Sequence, residues 1–230
     1  GLADLGFEAG PRAVGPGLAS MLSGALSAPN LKVFNSSGVV INETNSWGGS
    51  ATLVSEMARL GAFPLGGTSA DAAVLLTLNP GPYTLHVNDL GTTGGMALAE
   101  VYDANVAPPP ANSPHLVNIS ARGVVAADRI VTGGFVITGT TARRILIRGI
   151  GPGLAPQGVA SPVGDPAVTL NHIGIGVIAS NDNWQTPATT VPSYPGVSGA
   201  EIAAAATATG AFALADGSKD AAILVTLAPG

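Results

Sequence analysis

The sequence predicts an all-β protein: two tandem antiparallel β-sandwich modules, jelly-roll-like, joined by a proline-rich linker and each incomplete relative to a full repeat. Three observations carry this. The chain repeats itself, because Pro29–Trp47 (PNLKVFNSSGVVINETNSW) aligns without a gap with Pro166–Trp184 (PAVTLNHIGIGVIASNDNW), and Arg-x-x-Gly-Pro-Gly-Leu-Ala precedes both, at Arg12 and at Arg148. The likeness resumes at Asp71–Gly81 (DAAVLLTLNPG) and Asp220–Gly230 (DAAILVTLAPG). Finally, 32 Gly and 18 Pro punctuate short apolar runs in a chain that is 46% hydrophobic, too apolar for disorder and turn-rich enough for many short strands.

The elements follow in order. Leu31 and Val33, the turn at Gly38 and Val39-Val40-Ile41 read as a hairpin, repeated as Val168, Leu170 and Val177-Ile178. Ala51–Leu60 places Leu53, Met57 and Leu60 on one helical face, and the Ala-rich stretch Ala200–Thr209 is its counterpart. Val74–Leu78 and Ile223–Leu227 are continuous apolar runs closed by Pro-Gly turns, as expected of strands buried on both faces. Tyr83, Leu85 and Val87 alternate with polar residues and lead through Gly91–Gly95 to Met96, Leu98 and Glu100-Val101-Tyr102, a hairpin with no counterpart in the second copy. The second copy carries instead a front piece, His115–Ile147, where the first has only Gly1–Pro11. The boundaries expected are residues 1–105, a polyproline spacer over 106–114 containing Pro108-Pro109-Pro110, and residues 115–230.

Composition narrows function. There is no cysteine, so disulfides and thiolate metal sites or nucleophiles are excluded. A net charge of -5 argues against a nucleic-acid partner, and no apolar run reaches the roughly 18 residues of a membrane helix. Charge is nonetheless uneven: Arg122, Arg129, Arg143, Arg144 and Arg148 are five of nine basic residues. On a strand Arg144, Leu146 and Arg148 share a face, read first as a solvated outer face and second as a basic edge suited to an acidic partner, while Ile145 and Ile147 point to the core.

Gly149–Gly153 (GIGPG) fits a tight turn better than a phosphate loop, since Pro152 removes an amide donor. Asn181-Asp182-Asn183 offers oxygen ligands, with Asp182 a weak metal candidate, but the first copy has Thr44-Asn45-Ser46 there. Trp47 and Trp184 stand at equivalent places and are candidates to stack on a sugar or to plug the core. His86, His115 and His172 form no repeated pairing with a carboxylate or serine. No catalytic residue and no cofactor site is expected.

LVNISARG (Leu116–Gly123), GGFVITGT (Gly133–Thr140), RRILIRGIGPGLA (Arg143–Ala155), NDNW (Asn181–Trp184) and DAAILVTLAPG, with PYTLHV and ALAEVYD in the first copy, resemble a tandem module of long secreted and surface proteins of bacteria. That resemblance implies an extracellular location and a β-sandwich similar to pre-peptidase C-terminal-like domains, without catalytic residues.

The function expected is that of a non-enzymatic extracellular structural protein, a filament or surface-array subunit joined head-to-tail to copies of itself by β-strand complementation. Leu2, Leu5, Phe7 and Ala9 in the segment Leu2–Gly10 are the donor residues. Ile223, Val225 and Leu227, with Arg144 and Arg148, are the acceptor residues in a neighbour. The alternative is a carbohydrate- or surface-binding spacer repeat of a large adhesin or hydrolase, with polysaccharide as partner.

Overall fold

The computed structural model describes residues 7–105, 115–126 and 129–230. Leu2 and Leu5 and the spacer 106–114 lie outside the described residues. The structure is built mainly of strands in antiparallel sheets, in agreement with the all-β expectation. The chain divides into two compact units, Gly1–Ile119 and Ser120–Gly230.

The first unit runs β1 (Phe7–Val14), β2 (Pro29–Phe34), β3 (Val40–Thr44), α1 (Ala51–Arg59), β4 (Ala72–Ala73), β5 (Leu76–Leu78), β6 (Thr84–Asp89) and β7 (Leu98–Asp103). In one sheet β1 is central, with β4 and β5 on one side and β7 on the other; in a second sheet β2 lies between β3 and β6. Period-2 alternation gives the first sheet two apolar faces. Val14 and Ala73 pack with Trp47, Met57 and Leu65 on the helical side, while Ala13 and Ala72 pack with Leu31, Leu85 and Val87 of the second sheet. Each fully buried side chain of the size of Leu31 contributes about 2 kcal/mol.

Proline breaks one of these ladders. Pro11 sits in the middle of β1 and has no N–H, so on the β4/β5 side only its carbonyl bonds, accepting from Val74 N at 3.2 Å. The missing donor separates β4 from β5.

The second unit holds β8 (Arg143–Gly149), β9 (Val168–His172), β10 (Gly176–Asn181), β11 (Thr189–Thr190), α2 (Gly199–Ala208) and β12 (Ala221–Leu227). Here Ile147 replaces Pro11, and the β8–β12 ladder is unbroken from Gly149–Ala221 to Arg143–Leu227. The pairs Arg12–Ala73 and Phe7–Leu78 of the first unit become Arg148–Ala222 and Arg143–Leu227, the same register at aligned residues. Ile223, Val225 and Leu227 pack with Ile145, Ile147, Ile178 and Leu170 on one face. Ala222, Leu224 and Leu146 pack with Trp184 and Ile202 on the other. The apolar run Ile223–Leu227 is thus covered on both sides.

Both helices fall within one residue of their expected spans, and α2 is held at its start by a reciprocal cap between Ser198 and Glu201. The front piece is different. Among the described residues from His115 to Ala142 there is only an isolated bridge, Ala126–Arg129, and Val117, Ile119, Val124, Ile130 and Val136 are exposed.

Candidate functional site: a strand edge with a half-buried arginine

Each unit anchors its Gly-Pro-Gly turn with one buried carboxylate. Asp71 Oδ1 accepts from Gly15 N at 2.8 Å and from Gly17 N at 3.1 Å. Asp220 Oδ1 accepts from Gly151 N at 2.8 Å and Gly153 N at 3.1 Å, and its Oδ2 also accepts from Ser218 Oγ. The turn demands glycine as well, since a Cβ on Gly15 would stand 2.2 Å from Leu26 O, and one on Gly151 2.2 Å from Val163 O. The carboxylate takes up amides that the turn would otherwise leave unpaired. GIGPG is therefore a structural turn, as its recurrence suggested. Asp71 and Asp220 open the repeated DAA segments, a signal in the sequence that marked them without revealing what they hold.

Beside each turn lies the first arginine of the repeated motif. Arg12 is 2% exposed, with its guanidinium 4.5 Å from the Phe63 ring centroid and Nε 3.4 Å from Glu100 Oε2. Tyr102 donates to the other oxygen of that carboxylate, Oε1, at 2.8 Å. Glu100 and Tyr102 both come from β7, which pairs with β1 so that Arg12 faces Glu100 and Gly10 faces Tyr102.

Arg148 repeats half of this arrangement. It lies 4.4 Å over Phe212, the aligned counterpart of Phe63, and burial lowers its pKa, with Asp220 opposing the shift. Its Nε and Nη2 are shielded from solvent and have no hydrogen-bond partner among the described residues. No described strand pairs with β8 on the side where β7 pairs with β1, because β8 is bonded to β12 alone. The site is an open strand edge ending at a half-buried cation that forms no hydrogen bond from Nε or Nη2 among the described residues, a combination that sheets ordinarily cover.

The other candidate residues are placed as follows. Arg144 is exposed at the same edge and pairs loosely with Glu201 at 3.5 Å. Phe7 and Ala9 belong to β1 and face Leu78 and Leu76 of their own unit, so from Phe7 onward the supposed donor is already a strand of its own sheet. Ile223, Val225 and Leu227, at 1%, 5% and 7% exposed, pack inside their own unit and present no side chain to a neighbour. Alternate β12 side chains are taken up by β8, β9 and β10.

Trp47 and Trp184 are each 5% exposed, and their indole N–H groups donate to Gly66 O at 3.1 Å and Ala215 O at 3.2 Å. Both rings are core plugs tied to equivalent carbonyls, with no face open to a sugar. Asp182 is exposed, whereas its neighbour Asn181 is spent on structure, accepting from Ala222 N and donating to Asn183 O and Thr186 O. Among the described residues no group of three or more His, Cys, Asp or Glu could hold a metal ion, and no helix is long and apolar enough to cross a membrane.

No protein-family model, curated protein or solved structure matches the chain.

Proposed function

We propose that the chain is a non-enzymatic structural protein of the extracellular space, built from two tandem β-sandwich units that join further copies of the chain by strand addition. The observation that carries this reading is the contrast between two aligned edges. On β1 the edge is closed by β7, and Arg12 meets Glu100; on β8 the corresponding edge has no described strand, and among the described residues Arg148 forms no ion pair across it. An unpaired edge of this kind is a template for another strand, and a contact between unlike surfaces of identical chains propagates into a polymer when its rotation does not close.

The packing of β8–β12 onto β9–β10, and of β1–β4 onto β2–β6, supports sandwich units. The resemblance of the repeat motifs to secreted bacterial modules supports the location. The alternative of a polysaccharide-binding repeat rested on Trp47, Trp184 or the loop Gln185–Gly199; the two tryptophans are buried, so of these only the loop is left to support it.

Particle size against protein concentration tests the reading. Sedimentation velocity and electron microscopy are expected to find growing polymers, and a chain that stays a 22.5 kDa monomer at every concentration would reject it.

A further inference from the structure

We propose that the open edge of β8 receives Leu2–Leu5 of a second copy of this chain as an antiparallel strand, with Asp4 opposite Arg148. The inference rests on the assembly reading above and names both of its surfaces.

The acceptor is defined by the twin unit. In β1 the residues that turn their backbone toward β7 include Glu8, whose carbonyl accepts from Ala104 N at 2.7 Å, and hence every second residue from it, Gly10 and Arg12. The corresponding residues of β8 are Arg144, Leu146 and Arg148, so their amides and carbonyls line the open edge. At its end Arg148 holds two shielded nitrogens without partners. The guanidinium stacks on Phe212, and Asp220 acts on it by charge without a salt bridge, so its two unpartnered nitrogens are matched by a carboxylate carried on the incoming strand.

The donor is defined by the strand that closes β1. The β7 segment Leu98-Ala99-Glu100-Val101 places leucine, alanine, a carboxylate and an aliphatic residue in sequence, and Leu2-Ala3-Asp4-Leu5 repeats that order. Laid on β8 in the register that β7 keeps on β1, Asp4 falls opposite Arg148, Ala3 opposite Gly149, Leu2 opposite Ile150 and Leu5 opposite Ile147. Asp4 has no tyrosine two residues on, since Gly6 stands where β7 has Tyr102. Both of its oxygens therefore remain for the two unpartnered nitrogens of Arg148, whereas Glu100 shares one of its own with the Tyr102 hydroxyl. The donor segment also stops short of Phe7, where β1 begins, so giving it to a neighbour leaves the donor's own sheet intact.

Charge exchange in the full chain is the test. Asp4→Arg and Arg148→Asp should each raise the midpoint concentration of assembly by at least about thirtyfold, because each leaves like charges facing at a desolvated edge. An equimolar mixture of the two variants should assemble again, since the donor of each matches the acceptor of the other. Circular dichroism of the single variants checks that both remain folded. If a variant fails that check, a synthetic peptide of residues 1–6 added to the unaltered chain should shorten its polymers, and the Asp4→Asn peptide should not. Polymers that form equally well in both single variants, or that ignore the peptide, overturn the docking but leave assembly standing. A chain that is monomeric at all concentrations overturns both, and a monomer whose second unit is destabilised by Asp4→Arg shows docking within one chain and overturns the intermolecular contact.

Discussion

Arg12 Nε lies 3.4 Å from Glu100 Oε2, and the two side chains are only 3% and 17% exposed. Among the described residues the guanidinium has no hydrogen bond to supplement that contact, so its neutralisation depends on Glu100 and on the Phe63 and Tyr102 rings. Removing one member of such a pair strands a charge that has lost its water. Glu100→Ala is expected to destabilise the first unit by about 3 kcal/mol, whereas Arg12→Leu combined with Glu100→Leu should cost much less. Each unit contains one tryptophan, so urea unfolding followed by Trp47 fluorescence in a Trp184→Phe background reads this unit alone.

Asp220 chiefly satisfies amides, and its charge also favours the Arg148 cation. Asp220→Asn keeps the shape but turns an amide donor toward Gly151 N and Gly153 N or gives up one of its acceptors. A loss of about 2–3 kcal/mol is expected in the second unit, read by Trp184 fluorescence. Asp71→Asn should produce a somewhat smaller loss in the first unit, since its contacts to Gly15 and Gly17 have the same lengths to within 0.1 Å but only Asp220 also accepts from a serine hydroxyl. Equal losses would mean that the Ser218 hydroxyl adds nothing to the anchor.

The strands were legible because their signal is local. Alternation around Leu31 and Leu85, the apolar run Ile223–Leu227 and the helical spacing of Leu53, Met57 and Leu60 each state their structure within a few residues. The repeat also identified Arg12 and Arg148 as equivalent. What the sequence left unread was pairing at a distance: that Glu100 would cross to Arg12, that Asp71 and Asp220 would reach back to glycine amides, and that Pro11 would split one ladder where Ile147 keeps the other whole. The packing of Ile223, Val225 and Leu227 inside their own unit was unread for the same reason, because an apolar strand reads alike whether its neighbours come from its own unit or from another chain.

The Tyr102 hydroxyl offers a titration test of the closed edge. Its pKa is pushed up to about 12, first by burial, then by donation to Glu100 and by the charge of that carboxylate. A phenol whose folded pKa is raised favours the folded state below its unfolded value near 10, and that contribution is lost as the pH rises toward about 12. Near-ultraviolet absorbance should show one of the three tyrosines titrating late. Glu100→Gln should bring that step to lower pH, and a late step that persists unchanged would assign the shift to burial alone.

At the opposite end of the pH scale the start of α2 should respond. Glu201 accepts from Ser198 N at 3.0 Å and from Ser198 Oγ at 2.9 Å, and these bonds, in that order, hold its pKa below the ordinary glutamate range, with Arg144 adding a smaller pull. A carboxylate with a depressed folded pKa stabilises the fold above its unfolded value, and the contribution disappears as the pH falls through the folded one. Glu201→Gln should therefore lower the Tm of the second unit at neutral pH and have progressively less effect as the solution is acidified below about pH 4. Arg144→Ala should change little in either range, because its contact with Glu201 is exposed and screened by salt. A Glu201→Gln effect that is the same at both pH values would show that the cap works through its geometry and not through its charge.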